Sequence, residues 1–128
     1  MSSSIFTGSC LCSTIRYTIR GEPTIAVMCH CSNCKKTSGS AFQANLLFKH
    51  EQLTFLSGEL KLTDCLDTTT ASGSTRTRSF CSVCGSNVLA TNESSPYVRG
   101  YVIIMTGCLD GDFTFEPSVE YFCKDRCV

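Results

Sequence analysis

Within residues 13–20, apolar and polar residues alternate from Ile15 to Arg20. Because successive side chains of a strand point to opposite faces, this pattern predicts a β-strand with one buried face. The residues that follow, Gly21 to Pro23, predict the end of that strand. The apolar positions are Ile15, Tyr17 and Ile19, and the polar positions are Arg16, Thr18 and Arg20.

Short apolar and aromatic segments with polar breaks recur along the rest of the chain and predict further strands. The polar, low-complexity residues 63–75 predict a surface loop. Residues 35–39 allow no more than one helical turn before Gly39. We therefore predict a mainly β chain that forms one domain over residues 1–128. The further strands are expected at residues 24–28, 42–48, 52–56, 59–62, 87–91, 97–105 and 116–122, and residues 76–80 lead into the segment that begins at Cys81.

The composition excludes several classes of function. The chain has 11 basic and 11 acidic residues, so its charge does not indicate binding to nucleic acid. No apolar segment approaches the ~20 residues that cross a bilayer, so we expect a soluble protein without a membrane partner. The first residues lack the basic and apolar segments of a secretion signal, which predicts a reducing, cytoplasmic location. The 11 cysteines are then expected to remain available for metal rather than to form disulfides.

Three cysteines in the segment Cys-His-Cys-Ser-Asn-Cys are spaced to converge. In an extended segment Cys29 and Cys31 point to one face and His30 to the other. The Cys-x-x-Cys step from Cys31 to Cys34 is a spacing at which two sulfurs reach one tetrahedral zinc ion. Structural zinc sites close with four protein ligands and catalytic sites leave one position open. Three cysteines without a fourth ligand therefore predict a reactive zinc.

Four further cysteines form a second predicted site. Cys10 and Cys12 would share one face of the first strand, and Cys81 with Cys84 forms another Cys-x-x-Cys step. Four sulfurs predict a closed structural zinc, which gives two zinc ions per chain. Gly85 would allow the positive φ that such a turn often needs. A disulfide framework or iron–sulfur ligation is the alternative from spacing alone.

The cysteines outside these two groups are expected to be small buried hydrophobic residues. His50 is expected to be exposed in a turn. The four remaining cysteines are Cys65, Cys108, Cys123 and Cys127.

Four segments together resemble the glutathione-dependent formaldehyde-activating enzyme family. They are Gly8-Ser-Cys-Leu-Cys12, the segment from Cys29 to Phe42, Phe80-Cys-Ser-Val-Cys-Gly-Ser86, and Thr106-Gly-Cys-Leu-Asp110. The resemblance implies a β-tent fold of coiled sheets. It also implies structural zinc on Cys10, Cys12, Cys81 and Cys84, and catalytic zinc on Cys29, Cys31 and Cys34. Ser13 departs from the family pattern, which usually has glycine at that position.

The activity implied by the resemblance is a carbon–sulfur lyase reaction, the reversible addition of the thiol of glutathione to formaldehyde. A zinc with three thiolate ligands is a weak Lewis acid, so it favours a thiol as fourth ligand over the formation of hydroxide. The basic residues nearest the clusters would bind the carboxylates of glutathione or face solvent. The alternative function is a non-catalytic zinc-binding module related to centromere protein V, although the basic extension expected of such relatives is absent here. The basic residues are Lys35, Lys36, Arg76 and Arg78.

Overall fold

A computed structural model of the chain describes residues 4–111 and 115–127. The described residues form two β-sheets, one short α-helix and several 3₁₀ turns, which confirms the predicted mainly β fold. The helix α1 spans Ser32–Ser38. The strands are β1 Ile5–Ser9, β2 Arg16–Arg20, β3 Ile25–Cys29, β4 Gln43–Lys49, β5 Leu53–Ser57, β6 Leu62–Asp67, β7 Arg76–Cys81, β8 Asn87–Thr91, β9 Tyr101–Met105 and β10 Val119–Tyr121.

The smaller sheet has three antiparallel strands in the order β1-β2-β5. The larger sheet has seven strands in the order β10-β3-β4-β9-β8-β7-β6. Its strands pair antiparallel except β10, which pairs parallel to β3 and places Tyr121 opposite Cys29. The cysteine pairs at residues 29–31 and 81–84 therefore lie at the ends of two different strands of the same sheet.

The core between the sheets confirms the alternation of residues 13–20. Ile15, Tyr17 and Ile19 are fully buried and pack against the larger sheet, whereas Arg16 and Arg20 are exposed. In β4, Leu46 and Phe48 face this core and Leu47 packs into a second one on the opposite face. That second core includes Cys29 and Cys34, so one of the cysteine groups belongs to the hydrophobic interior.

Two local predictions near the cysteines are wrong. Cys10 and Cys12 do not lie on a strand, because β1 ends at Ser9 and both cysteines belong to the turn before β2. The helix after Cys31 is also longer than one turn, since it begins at Ser32 rather than at residue 35. The side chain of Cys31 caps its first turn by accepting a hydrogen bond from the backbone of Cys34. The final residue of the helix is followed by Gly39, whose φ is 65°.

The predicted loop over residues 63–75 and strand over residues 59–62 are also corrected. Residues 59–61 form a 3₁₀ turn, and β6 occupies residues 62–67, so the loop is confined to residues 68–75. Residues 63–67 were predicted as a loop because the sequence of β6 is largely polar. Within residues 4–111 and 115–127, β6 is an edge strand that pairs with β7 alone, and its side chains are mostly exposed.

Two predicted strands near the end of the chain are shorter than expected. Residues 97–100 form a turn before β9, and β10 has only three residues. No helix among the described residues is long and apolar enough to cross a membrane.

Candidate metal centres and adjoining cavity

The first cysteine group, here called the three-cysteine cluster, consists of Cys29, Cys31 and Cys34. Their sulfur atoms all lie within 4.8 Å of one another. Cys29 is the last residue of β3, and Cys31 is extended with φ −63° and ψ 152° immediately before α1. The third sulfur, from Cys34, enters from the first turn of the helix. The strand-to-helix junction thus brings together the three thiols that the spacing predicts.

Hydrogen bonds make Cys31 the most acidic thiol of this cluster. Its sulfur faces the thiols of Cys29 and Cys34, and these contacts lower the pKa of Cys31 to about 2. The backbone N–H of Cys34 also donates to Cys31 Sγ at 3.2 Å. The same contacts raise the pKa of Cys29, which retains its proton while Cys31 is a thiolate. The positive charge of Arg76 acts in the same direction on the pKa of Cys31. Cys31 is therefore held as a thiolate, whereas the pKa values of Cys29 and Cys34 are raised, so these two thiols would lose their protons on binding a metal ion.

His30 lies outside the cluster, as the alternation of side chains predicts. Its imidazole is fully buried, its ring centroid is 6.0 Å from that of Phe42, and its Nε2 lies 3.0 Å from Glu120 Oε1. This hydrogen bond lowers the pKa of Glu120. The contact connects the cluster segment to β10. Sequence reasoning predicted a strand there but did not identify this contact.

The second group, here called the four-cysteine cluster, joins the two sheets. Cys10 and Cys12 come from the turn between β1 and β2, while Cys81 and Cys84 come from the end of β7 and the turn that leads to β8. The four sulfurs lie within 4.8 Å of one another, with separations of 3.7 Å for Cys10–Cys12 and 3.8 Å for Cys12–Cys81. Four sulfurs arranged tetrahedrally at zinc–sulfur distances of about 2.3 Å would be about 3.8 Å apart, so the geometry fits one zinc ion.

The turns of this cluster direct polar hydrogens at the sulfurs. The N–H of Ile15 donates to Cys10 Sγ at 3.3 Å, and the N–H of Cys84 donates to Cys81 Sγ at 3.4 Å. The hydroxyl of Ser86 lies 3.2 Å from Cys84 Sγ and lowers the pKa of that thiol to about 5. Such hydrogen bonds stabilise thiolates, which are the form that ligates metal.

Two residues in these turns have positive φ. Gly85 has the predicted positive φ, at 79°. Ser13 has φ 64°, a conformation that is unfavourable for a residue with a side chain. The conformation of Ser13 gives a physical reason for the glycine that the family pattern usually has there.

A cavity of about 110 Å³ adjoins the three-cysteine cluster. Cys29 and Cys31 form part of its wall, and other residues of the larger sheet contribute much of the rest. Much of the lining is apolar, which limits the amount of water beside the sulfurs. The remaining side chains that line it include Val27, Leu47, Ile103, Asn45, Asn92 and Arg76.

The four basic residues predicted to bind substrate lie in different environments. Arg76 and Arg78 both line the cavity. Lys35 Nζ donates to the backbone carbonyl of Asp125, and Lys36 is exposed on α1. The structure therefore brings the two arginines, but not the two lysines, to the wall beside the cluster.

Arg78 is already committed to a buried ion pair. Its Nη2 and Nε lie 2.8 Å and 3.1 Å from Asp67 Oδ2, and Asn33 Nδ2 lies 2.9 Å from the same oxygen. Burial alone would raise the pKa of Asp67, but the hydrogen bonds from Asn33 and Arg78 outweigh it and lower that pKa. The network connects α1 to the β6–β7 hairpin. Sequence reasoning missed it because Asp67 was assigned to a loop, although opposite charges on the two arms of a hairpin are a recognisable signal.

The remaining cysteines differ from the prediction that all are buried. Only Cys108 is substantially buried, and its thiol donates to the carbonyl of Asn87 at 3.1 Å. Burial raises the pKa of Cys108 to about 11, so it is a poor nucleophile. His50 is exposed, as predicted. The exposed cysteines are Cys65, Cys123 and Cys127.

Comparison with known proteins agrees with this architecture. No curated protein matches the chain significantly. Among solved structures, the crystal structure of a Rhodobacter sphaeroides protein, a structural genomics target, superposes with a TM-score of 0.66. It has 18% sequence identity, and the match covers 90% of this chain and 98% of that one, which supports a shared fold. The family model described as glutathione-dependent formaldehyde-activating enzyme matches residues 5–125. That match spans nearly the whole chain, including both cysteine clusters, and the protein therefore belongs to the glutathione-dependent formaldehyde-activating enzyme family.

Proposed function

We propose that this protein is a zinc-dependent carbon–sulfur lyase that adds a thiol of the glutathione type to formaldehyde or a related small aldehyde. The observation that supports this most directly is the position of the three-cysteine cluster at the wall of a cavity. Three protein sulfurs leave one position of a tetrahedral ion for a substrate. The family match supports the same reaction class.

The two clusters are assigned different roles. Cys10, Cys12, Cys81 and Cys84 would hold a structural zinc, because they supply all four ligands of a tetrahedral ion. The catalytic zinc would be held by Cys29, Cys31 and Cys34. When bound there, zinc supplies the ability to stabilise a substrate thiol as its thiolate near neutral pH.

The reaction is an addition in which no electrons are lost. The sulfur of the thiol bonds to the carbonyl carbon, the π bond of the aldehyde breaks, and the thiol proton finishes on the oxygen. The protein contributes orientation, since α1 fixes Cys31 and Cys34 relative to Cys29. Val27, Leu47 and Ile103 exclude water from the cavity wall.

The proposal is tested by counting metal and measuring exchange between free formaldehyde and its thiol adduct. We expect two zinc ions per chain, and we expect the protein to accelerate the exchange seen by NMR with glutathione. Cys31→Ser should abolish the acceleration, whereas Cys123→Ser, which changes an exposed cysteine, should retain it.

A cobalt-substituted sample tests whether the substrate binds through sulfur. Glutathione should strengthen the sulfur-to-metal charge-transfer bands, and S-methylglutathione should not. The proposed enzymatic function is contradicted if the protein binds two zinc ions but neither accelerates the exchange nor shows a spectral response to glutathione. That result would favour a non-catalytic zinc-binding module related to centromere protein V.

A further inference from the structure

Two arginines on β7 present the same guanidinium edge in different states. Arg76 and Arg78 are two residues apart and both line the cavity beside the three-cysteine cluster. In Arg78 the edge formed by Nε and Nη2 donates to the carboxylate of Asp67. In Arg76 the same two atoms are fully buried and have no hydrogen-bond partner among the described residues. Among the described residues, a carboxylate therefore pairs with Arg78 and none pairs with Arg76.

A buried guanidinium edge without an acceptor is energetically unfavourable. Burial lowers the pKa of Arg76, which reflects the cost of holding the charge there, and the nearby thiols of the cluster oppose that shift. Those thiols offset part of the charge, but they do not accept hydrogen bonds from Nε or Nη2. The two donors therefore lack an acceptor, and Arg76 lines the cavity, so a molecule in the cavity that reached them would supply one.

The shape and size of the site restrict that molecule. The Nε–Nη2 edge matches the two oxygens of a carboxylate through parallel charge-assisted hydrogen bonds. Arg78 is neutralised by Asp67, so Arg76 is the uncommitted cation among the described residues of the cavity wall. One cation suits one carboxylate better than a doubly charged phosphate. The cavity volume of about 110 Å³ is well below the range of roughly 300–1,000 Å³ typical of larger ligand sites.

We propose that Arg76 binds one carboxylate of the substrate thiol, and that the cavity is matched to a short thiol carboxylate the size of cysteine or β-mercaptopropionate. Cys29 and Cys31 line the same small cavity as Arg76, so the sulfur of such a ligand reaches the three-cysteine cluster while its carboxylate lies on the guanidinium. A tripeptide such as glutathione would leave most of its atoms outside. The role of the sulfur rests on the proposed function, whereas the carboxylate contact does not.

The carboxylate contact is tested on the zinc-loaded protein by NMR of the arginine Nε–H groups. The Arg76 signal is identified by its loss in Arg76→Lys. We expect propionate and β-mercaptopropionate to shift this signal, and β-mercaptopropionamide, which has the same shape without the charge, to leave it unchanged. If neither carboxylate shifts the Arg76 signal, the inference is wrong whatever the metal does.

Selectivity is tested on the cobalt-substituted protein. β-Mercaptopropionate should saturate the charge-transfer bands at a concentration about ten- to a hundredfold lower than β-mercaptopropionamide.

Arg76→Met should remove this preference. Lys36→Met, which removes the same charge from the exposed face of α1, should retain it. The inference fails if the wild-type protein binds the two thiols equally well. If Arg76→Met also loses metal from the cluster in that case, Arg76 serves only to balance the charge of the cluster. β-Mercaptopropionate could instead shift the Arg76 signal and leave the cobalt bands unchanged. That result would support the carboxylate site and contradict the proposed function.

Discussion

The two cysteine clusters use the same ligand atom but are built differently. The four-cysteine cluster combines turns from two sheets, and Cys12 and Cys81 are 69 residues apart in sequence. The three-cysteine cluster comes from six consecutive residues at one strand-to-helix junction and adjoins a cavity. A metal ion in the first cluster would cross-link distant segments, whereas one in the second would restrain only a local turn. The ligand atoms are the same in both clusters, and the difference lies in how far apart the ligands are in the sequence. Ligands from distant segments suit a site that stabilises the fold, whereas ligands from one short segment beside a cavity suit a reactive site.

The largest expected effect comes from removing a ligand of each cluster. Cys10→Ser or Cys84→Ser should give unfolded or insoluble protein, because zinc binding to four cysteines contributes on the order of 10 kcal/mol to folding. Cys31→Ser should remain folded and lose one zinc, since Cys31 is only partly buried and its cluster is local. Circular dichroism and metal analysis measure both outcomes. Equal loss of folding in all three variants would contradict the distinction between the clusters.

A smaller effect is expected at the ion pair that supports the helix of the three-cysteine cluster. Asp67→Asn leaves the buried guanidinium of Arg78 without its counter-ion, so we expect a loss of about 3 kcal/mol in the free energy of unfolding. Denaturant unfolding measures it. Asp64→Asn changes an exposed aspartate of the same strand and keeps an amide oxygen that can accept the hydrogen bond from Ser79, so it should cost less than about 1 kcal/mol. Similar losses in the two variants would show that the network does not support α1.

The strand that leads to the four-cysteine cluster is tested at Gly8. A Cβ at this position would lie 2.2 Å from the ring of Tyr17, which is fully buried and cannot move aside. Gly8→Ala should therefore destabilise the protein by about 2 kcal/mol in thermal or denaturant unfolding. Gly107→Ala is the matched control, because no atom of the described residues lies within 4 Å of its added Cβ. A stable Gly8→Ala variant would mean that β1 adjusts without disturbing the cluster.

The smallest expected effect is a gain in stability at Ser13. Ser13→Gly removes the unfavourable positive φ of a serine in the turn that carries Cys10 and Cys12, which should raise the free energy of unfolding by about 1 kcal/mol. The matched control is Ser82→Gly, which changes an exposed serine without positive φ in the other turn of the same cluster. It should lower the free energy of unfolding by up to about 1 kcal/mol, because glycine loses more backbone entropy on folding.

Both serine variants are compared by denaturant unfolding in the zinc-loaded state, with the zinc content measured alongside. An unchanged zinc content separates relief of backbone strain from a change in metal binding. A loss of stability in Ser13→Gly would show that the serine side chain compensates for its φ.

Features that depend on short spacing could be predicted from the sequence. The convergence of Cys29, Cys31 and Cys34 follows from covalent reach within six residues, and the buried face of β2 follows from strict alternation. The exclusion of His30 from the cluster follows from the same alternation. The grouping of the other four clustered cysteines was also predicted, although the conformation of the turn that carries the first two was not.

Features that depend on contacts between distant segments emerge only when the sheets assemble. The register of β6 against β7 brings the segment that carries Asp67 beside Arg78, and a polar sequence by itself could not distinguish this edge strand from a loop. Arg76 and Arg78 are equivalent in the sequence and both line the cavity. Yet Arg78 has a carboxylate partner, whereas Arg76 has buried donors without a partner in the part of the chain that the structure describes. Burial and pairing are properties of the folded chain, because each depends on which distant segments come to lie beside a given side chain.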